Sequence, residues 1–255
     1  MASAGLPEID LEPGTLVIGD LHLDLAVPEQ VERFALWLEK HAAAPRLVIL
    51  GDLFEYWLGP THADTDGGRR ALGALASFAN RGAKVDVIPG NRDFLLDESF
   101  ERQAASSVRR AGMVGRTSTG ARVLFLHGDE LCTLDHGYQK LRRVLRSRPL
   151  TWLAPRLPRF LADRIARRLR RASKKAIAGK ARAETEQQPD ACARFAADHG
   201  AEVLVCGHAH RYRDAMIEGG VRWLVVDAFG GRRDTLVVGA EGGLTVLTDE
   251  GGAAQ

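Results

Sequence analysis

Apolar residues in this chain follow two rhythms. Runs of four or five, Thr15 to Gly19, Leu47 to Leu50, Val85 to Ile88, Val123 to Leu126 and Val203 to Cys206, are too short for helices and stop at or near Gly or Pro. They read as buried strands, whose two covered faces need no polar alternation. Between the first three runs, apolar positions recur three and four residues apart. Val31, Phe34, Ala35 and Leu38 behind Pro28 predict a helix to about His41, with Phe34, Trp37 and Leu38 in the core. A second such pattern runs from Arg69 to Asn80 and is closed by Gly82. Strand, helix, strand, helix, strand predicts parallel pairing through right-handed crossovers.

The rest of the chain fills in around that frame. Residues 1 to 13 are polar, carry Pro7 and Pro13 and are expected to fray. A loop rich in Gly, Asp and Thr is expected from Asp52 to Gly68, and a short helix near 97 to 105. Arg116 to Thr119 and Ala121 to Phe125 flank Gly120 as a hairpin, and a helix is expected over 184 to 198. The tail alternates β-runs (Asp214 to Ile217, Arg222 to Val226, Thr235 to Val238, Leu244 to Leu247) with Gly pairs. The expectation is an α/β fold of two facing mixed sheets flanked by helices.

At 255 residues and 45% apolar content the chain suits one globular domain, 1–255, with an insertion. Charge locates the insertion. Of 35 basic and 33 acidic residues, sixteen basic and one acidic fall within 140–182, leaving nineteen basic against thirty-two acidic elsewhere. Within it Phe160, Leu161, Ile165 and Leu169 share one helical face, with Arg159, Arg167, Arg170 and Arg171 on others and Trp152, Leu153 and Leu157 before them. A basic amphipathic helix with an aromatic anchor suits an anionic membrane surface. The same charge would equally suit nucleic acid, or a solvated helix packed on its own apolar stripe. The aromatic residues beside the stripe favour lipid over nucleic acid. No run reaches the roughly 18 apolar residues that would span a bilayer. Three cysteines without paired spacing, Cys132, Cys192 and Cys206, and no charged-then-apolar leader point to a cytoplasmic setting.

Each of the five strands ends in residues that can bind metal: Asp20 and His22, Asp52, Asn91, His127, and His208 and His210. In an α/β sheet ligands gather at the carboxyl ends of strands, so these termini can converge. Two divalent ions would divide them as Asp20, His22, Asp52 and His210 on one side and Asp52, Asn91, His127 and His208 on the other, with Asp52 shared. Carboxylates, imidazoles and an amide oxygen suit Mn²⁺, Fe²⁺ or Zn²⁺. Paired ions of this kind hydrolyse phosphoesters and phosphoanhydrides. Asp93, Asp129 and Glu55 follow these positions directly and are expected to orient His or Arg through hydrogen bonds. His41, His62, His136 and His199 are expected in surface or packing roles, and Cys132 and Cys206 as small buried apolar residues.

Asp20-x-His22, Gly51-Asp52, Gly90-Asn91, His127 and Gly207-His208-x-His210 resemble the signature of the calcineurin-like metallophosphoesterases, over about residues 15 to 240. That resemblance implies a four-layer α/β/β/α sandwich, two divalent ions with Mn²⁺ the first choice, and catalysis by Asp20, Asp52, Asn91, Arg92, His127 and His208. Finer features resemble one branch, the UDP-2,3-diacylglucosamine diphosphatases of lipid A biosynthesis: Gly51-Asp52-Leu53-Phe54-Glu55 with Trp57, Gly90-Asn91-Arg92-Asp93-Phe94-Leu95-Leu96, and His127-Gly128-Asp129-x-Leu131-Cys132-Thr133, joined by Asp135, Tyr138 and Gln139. The branch implies cleavage of a UDP-linked acylated sugar lipid to UMP and a lipid 1-phosphate. It also implies substrate contacts by Asn91, Arg92, Asp135, Ser173, Lys180 and His208, a helical lid at 140–182, and a place on the cytoplasmic side of the inner membrane. Ile177, Ala209, Tyr212 and Val226-Asp227-Ala228-Phe229 depart from the branch pattern, which bears on the exact sugar lipid rather than on the metals.

Arg92 has its own chemical reading. Arginine does not release a proton at working pH, so it suits a leaving group that needs none, such as a sugar 1-phosphate with a second pKa of about 6. Two other functions remain open at this point: a metal-dependent phosphodiesterase or nuclease using the basic segment on nucleic acid, and a fold kept as a protein-binding scaffold. No protein partner is implied.

Overall fold

The structure, a computed structural model, describes residues 5–157, 160, 161, 164, 165, 168 and 182–247. In chain order the strands are β1 (Glu8–Asp10), β2 (Leu16–Ile18), β3 (Arg46–Ile49), β4 (Lys84–Val87), β5 (Ser107–Val108), β6 (Met113–Arg116), β7 (Arg122–Phe125), β8 (Val203–Cys206), β9 (Arg213–Ile217), β10 (Val221–Val225), β11 (Thr235–Val238) and β12 (Leu244–Val246). Among the described residues the α-helices with defined bounds are α1 (Pro28–Lys40), α2 (Pro60–Ala63), α3 (Asp66–Ala79), α4 (Glu98–Ala104), α5 (His136–Leu145), α6 (Arg148–Leu153), α7 (Arg182–Thr185) and α8 (Pro189–Asp198).

The strands form two six-stranded mixed sheets, ordered β12-β11-β2-β3-β4-β5 and β1-β6-β7-β8-β10-β9. The side-chain alternation of a strand builds the layers directly. Leu16, Ile18, Leu47, Ile49, Val85 and Val87 point outward into a core shared with Val31, Phe34, Leu38, Leu72, Leu75 and Phe78 of α1 and α3. Their neighbours Val17 and Val48 point inward, meeting Val123, Phe125, Val205 and Leu224 of the other sheet. On that sheet's far side Leu124, Leu204 and Trp223 pack against Ala191, Cys192 and Ala196 of α8. The result is the expected helix, sheet, sheet, helix stack. Burying a side chain such as Phe34 or Leu38 fully is worth about 1.5–3 kcal/mol, so these three apolar layers carry the stability.

Several boundaries differ from the sequence expectation. Residues 8–10 do not fray: they pair in parallel with β6, anchored by buried Leu11. Within the expected loop α2 forms, and α3 begins at Asp66, because Thr65 caps the helix by accepting from the Gly68 amide at 2.9 Å. Gly67 and Gly68 are not breakers here; a Cβ at Gly67 would sit 2.1 Å from the Leu25 carbonyl, so close packing demands glycine. The hairpin is real, but its first strand is 113–116, with Gly120 in the turn at φ 87°. The helix expected over 184–198 breaks into α7 and α8, since Pro189 starts a new helix. β5 carried no signal, being two residues long.

In the basic segment α5 and α6 are helical, as are Phe160, Leu161, Arg164, Ile165 and Arg168. Trp152 is 61% exposed and Phe160 74%, with Leu153, Leu161 and Ile165 also exposed. Leu169, Ser173, Ile177 and Lys180 lie outside the described residues.

Candidate metal centre

β2, β3 and β4 of one sheet and β7 and β8 of the other are the strands that deliver the candidate ligands, each two to four residues beyond the last paired position. The backbone there is bent into an unusual shape. Asp20, His22, Asp52, His208 and His210 all adopt left-handed φ, between 48° and 68°. Among the described non-glycine residues only Ala105 shares it. Such a conformation costs an L residue about 1–2 kcal/mol, so its concentration at these five positions marks a functional demand. Glycines let the turns close on one another. A Cβ at Gly90 would lie 2.1 Å from Asp52 Oδ1, one at Gly51 2.4 Å from His127 Nδ1, and one at Gly207 2.7 Å from Asp20 Oδ2.

All seven candidate ligands converge. His22 Nε2 and His210 Nε2 are 2.9 Å apart, and His210 Nε2 is 3.5 Å from Asp20 Oδ1. Asn91 Oδ1 lies 3.0 Å from His127 Nε2 and 3.1 Å from His208 Nδ1. Asp52 stands between these two groups, with one oxygen 3.8 Å from His22 Nδ1 and the other 3.9 Å from His127 Nε2. The His208 amide donates to Asp20 Oδ2 at 2.6 Å, tying the groups together.

Bonding within the cluster suits cations. Asp20 Oδ1 and His22 Nδ1 are buried without a hydrogen-bond partner. His127 Nδ1 donates to the Leu50 carbonyl at 2.7 Å, so in the neutral ring Nε2 is a lone pair, facing the Asn91 oxygen. Two acceptors in contact require a positive charge beside them. Without metal that charge is a proton: although burial opposes it, Asp52, Asp129 and Asp20 hold His127 up at about 9. Burial pushes Asp52 up to about 7. Burial, with the nearby charge of Arg92, pulls His22 down to about 3, and burial with His127 pulls His208 down to about 4. Both rings are therefore neutral, the form that binds metal. The donors fit a pair of borderline-to-hard divalent ions.

The surrounding groups correct part of the expectation. Glu55 does orient an arginine, accepting from Arg92 Nη1 at 2.7 Å and leaving Arg92 Nε 3.5 Å from Asp52 Oδ2. Asp93 orients neither His nor Arg; it accepts from the backbone amides of Leu53 and Gly90, both at 2.7 Å, and so locks the two loops together. Asp129 binds the α5 side chains Tyr138 and Arg142. Asp135 caps α5 by accepting from the Tyr138 amide at 2.9 Å. Ser173 and Lys180 fall outside the described residues. His41, His62 and His199 bond to nearby backbone, and His136 is exposed. Cys132, Cys192 and Cys206 are buried free thiols. The Tyr212 amide donates to Asp227 at 2.6 Å, a bond that a proline at 212 could not make.

Sequence reasoning missed Gln187. Its buried amide donates to the carbonyls of Gly207 at 2.9 Å and Gly128 at 3.4 Å, beside His208 and His127. A Gln-Gln-Pro before a helix reads only as a helix start.

The calcineurin-like phosphoesterase profile matches residues 15–212. The UDP-2,3-diacylglucosamine hydrolase of Azotobacter vinelandii is 40% identical over 198 residues, covering 77% of this chain and 81% of its own. That of Aeromonas salmonicida is 38% identical, covering 77% of each. That of Pseudomonas entomophila is 35% identical over 238 residues, 93% of this chain and 95% of its own. The family implies a divalent dimetal site, and candidate ligands for one stand at these strand ends. Fold, strand-end motifs and relatives agree: the chain belongs to the calcineurin-like phosphoesterase family.

Proposed function

We propose that the chain hydrolyses the pyrophosphate of UDP-2,3-diacylglucosamine to UMP and 2,3-diacylglucosamine 1-phosphate, with Asp20, His22, Asp52, Asn91, His127, His208 and His210 holding two divalent ions, Mn²⁺ first among them. The observation that carries this reading is Arg92, held by Glu55 beside Asp52 as a fixed positive charge with no proton to give an alkoxide leaving group. The relatives carry the name of that activity over most of both chains. When bound, the ion pair supplies Lewis-acid activation of water and of phosphate oxygens.

The chain's own groups do the rest. Arg92 presents fixed positive charge to the phosphate oxygens and, having no proton to give, favours a phosphate leaving group that is stable as an anion. Asn91, Arg92, Asp135 and His208, with Ser173 and Lys180, hold the substrate. Residues 140–182 serve as a basic lid within the single domain, and the exposed Trp152, Phe160, Leu161 and Ile165 among its arginines support contact with acyl chains and with an anionic inner-membrane surface from the cytoplasmic side. Among the described residues no helix is long and apolar enough to cross a membrane.

Purified protein with Mn²⁺, offered the UDP lipid, single-stranded DNA and an aryl phosphodiester in parallel, tests this. Release of UMP with little DNA cleavage is expected. Salt-sensitive DNA cleavage without UMP would establish the nuclease reading instead, and no turnover of any substrate would leave the scaffold.

A further inference from the structure

The chain leaves the second sheet after His127 and returns to it at β8, and both stems of this excursion end on the candidate metal loops. In the first stem Asp129, fully buried, accepts from the Tyr138 hydroxyl at 2.6 Å and Arg142 Nε at 2.7 Å. Arg146, immediately after the end of α5, lies 3.5 Å from the same Asp129 oxygen and donates to the carbonyl of Gly90 at 3.0 Å. In the second stem Gln187 donates to the carbonyls of Gly207 and Gly128, while the Gln188 amide donates to Leu131 of the first stem at 3.0 Å.

These three carbonyls are not scattered. Gly90 precedes Asn91, Gly128 follows His127, and Gly207 precedes His208. Asn91, His127 and His208 are the three groups that meet at the Asn91 oxygen. A Cβ at Gly128 would lie 2.2 Å from the Gln187 amide, so glycine there is what admits the brace. Of the other group, Asp20 and His22 are held from loops of the first sheet, the Asp20 amide donating to Gly51 O and the His22 amide to Asp52 O, and only His210 shares the loop after β8.

We infer that Arg146 and Gln187 are positioning residues for one ion of the pair, the one held by Asn91, His127 and His208, so that the helical excursion sets the occupancy of that ion and leaves its neighbour alone. The inference rests on the two-metal reading and not on the identity of the sugar lipid. Outer groups that orient metal ligands change affinity by about 10–100-fold when removed.

The test is metal binding by the full chain. Metal-free wild type, Arg146→Met, Arg146→Lys and Gln187→Met are titrated with Mn²⁺, bound ions are counted after gel filtration, and electron paramagnetic resonance separates a coupled pair from an isolated ion. Wild type should bind two coupled ions. Arg146→Met and Gln187→Met should keep one at wild-type affinity and weaken the other at least tenfold, giving an isolated-ion spectrum, with the metal-free Arg146→Met protein still melting cooperatively. Arg146→Lys retains a donor and should recover much of the loss. Two ions at wild-type affinity in both Met variants, or parallel weakening of both ions, would overturn the inference. Wild type that binds fewer than two ions would instead refute the two-metal reading.

Discussion

Arg92 Nη1 donates to Glu55 Oε1 at 2.7 Å, and that bond holds the guanidinium 3.5 Å from Asp52. The pair fixes a charge that cannot be lost beside a carboxylate placed to be shared by two ions. Arg92→Ala should therefore slow hydrolysis by about 10²–10³, the range for removing one preorganised transition-state donor, with bound metal unchanged. Arg92→His should not restore the reaction. Full rescue by His with a new acidic limb in the pH profile would show proton donation instead of charge neutralisation.

Asp52→Ala should abolish activity and bring bound metal close to zero. Its two oxygens face His22 and His127 separately, so no other side chain can take both places. Removing the anion between two cations leaves their repulsion uncompensated. Metal analysis that found two tightly held ions in this variant would falsify the shared role.

A pH dependence follows from the raised Asp52. In the metal-free protein its pKa is pushed from 3.8 to about 7, so the folded state binds that proton more tightly than the unfolded chain. The resulting stability is complete below a pH of about 4 and is lost as pH rises through 7. His127, raised from 6.5 to about 9, acts in the same direction over a higher range. A divalent ion supplies the missing positive charge. The rise in melting temperature on adding Mn²⁺ should therefore be small at pH 5.5 and clearly larger at pH 8, measured at one Mn²⁺ concentration. An equal rise at both values would mean that protons and metal do not compete here.

Much of this arrangement was legible in the sequence, and the reason is local. Val17 and Val48 sit inside unbroken apolar runs because both faces of their strands are covered, and each run ends where Gly allows a turn that only a few residues long can close. Strand, turn and ligand thus lie within about ten residues of one another. What stayed hidden depends on distant partners. Gln187 acts on loops that precede it by about sixty residues and follow it by twenty, and nothing in its neighbours signals this. Asp93 looks like an acid beside a functional Arg, yet it serves backbone amides of another loop. Gly67 and Gly68 look like a helix breaker until Leu25 and His62 come against them.

The last prediction contrasts two glycines and asks whether close approach, not backbone freedom, is what the site needs. Gly90 does not have a left-handed φ, so alanine there meets no backbone penalty; the obstacle is Asp52, whose Oδ1 and amide nitrogen would lie 2.1 and 2.4 Å from the new Cβ. Backbone and a buried carboxylate cannot step aside as a surface side chain would. Gly90→Ala should accordingly shift Asp52, remove most bound metal and lower turnover as Asp52→Ala does. Gly73 lies in the middle of α3, exposed, with nothing within 4 Å of its added Cβ. Gly73→Ala should stabilise the protein by about 0.5–1 kcal/mol, because alanine loses less chain entropy on entering a helix. Thermal melts and metal counts on both variants check the pair. Retention of full metal content by Gly90→Ala would mean that the loops after β3 and β4 can separate, and that their contact is not what shapes the centre.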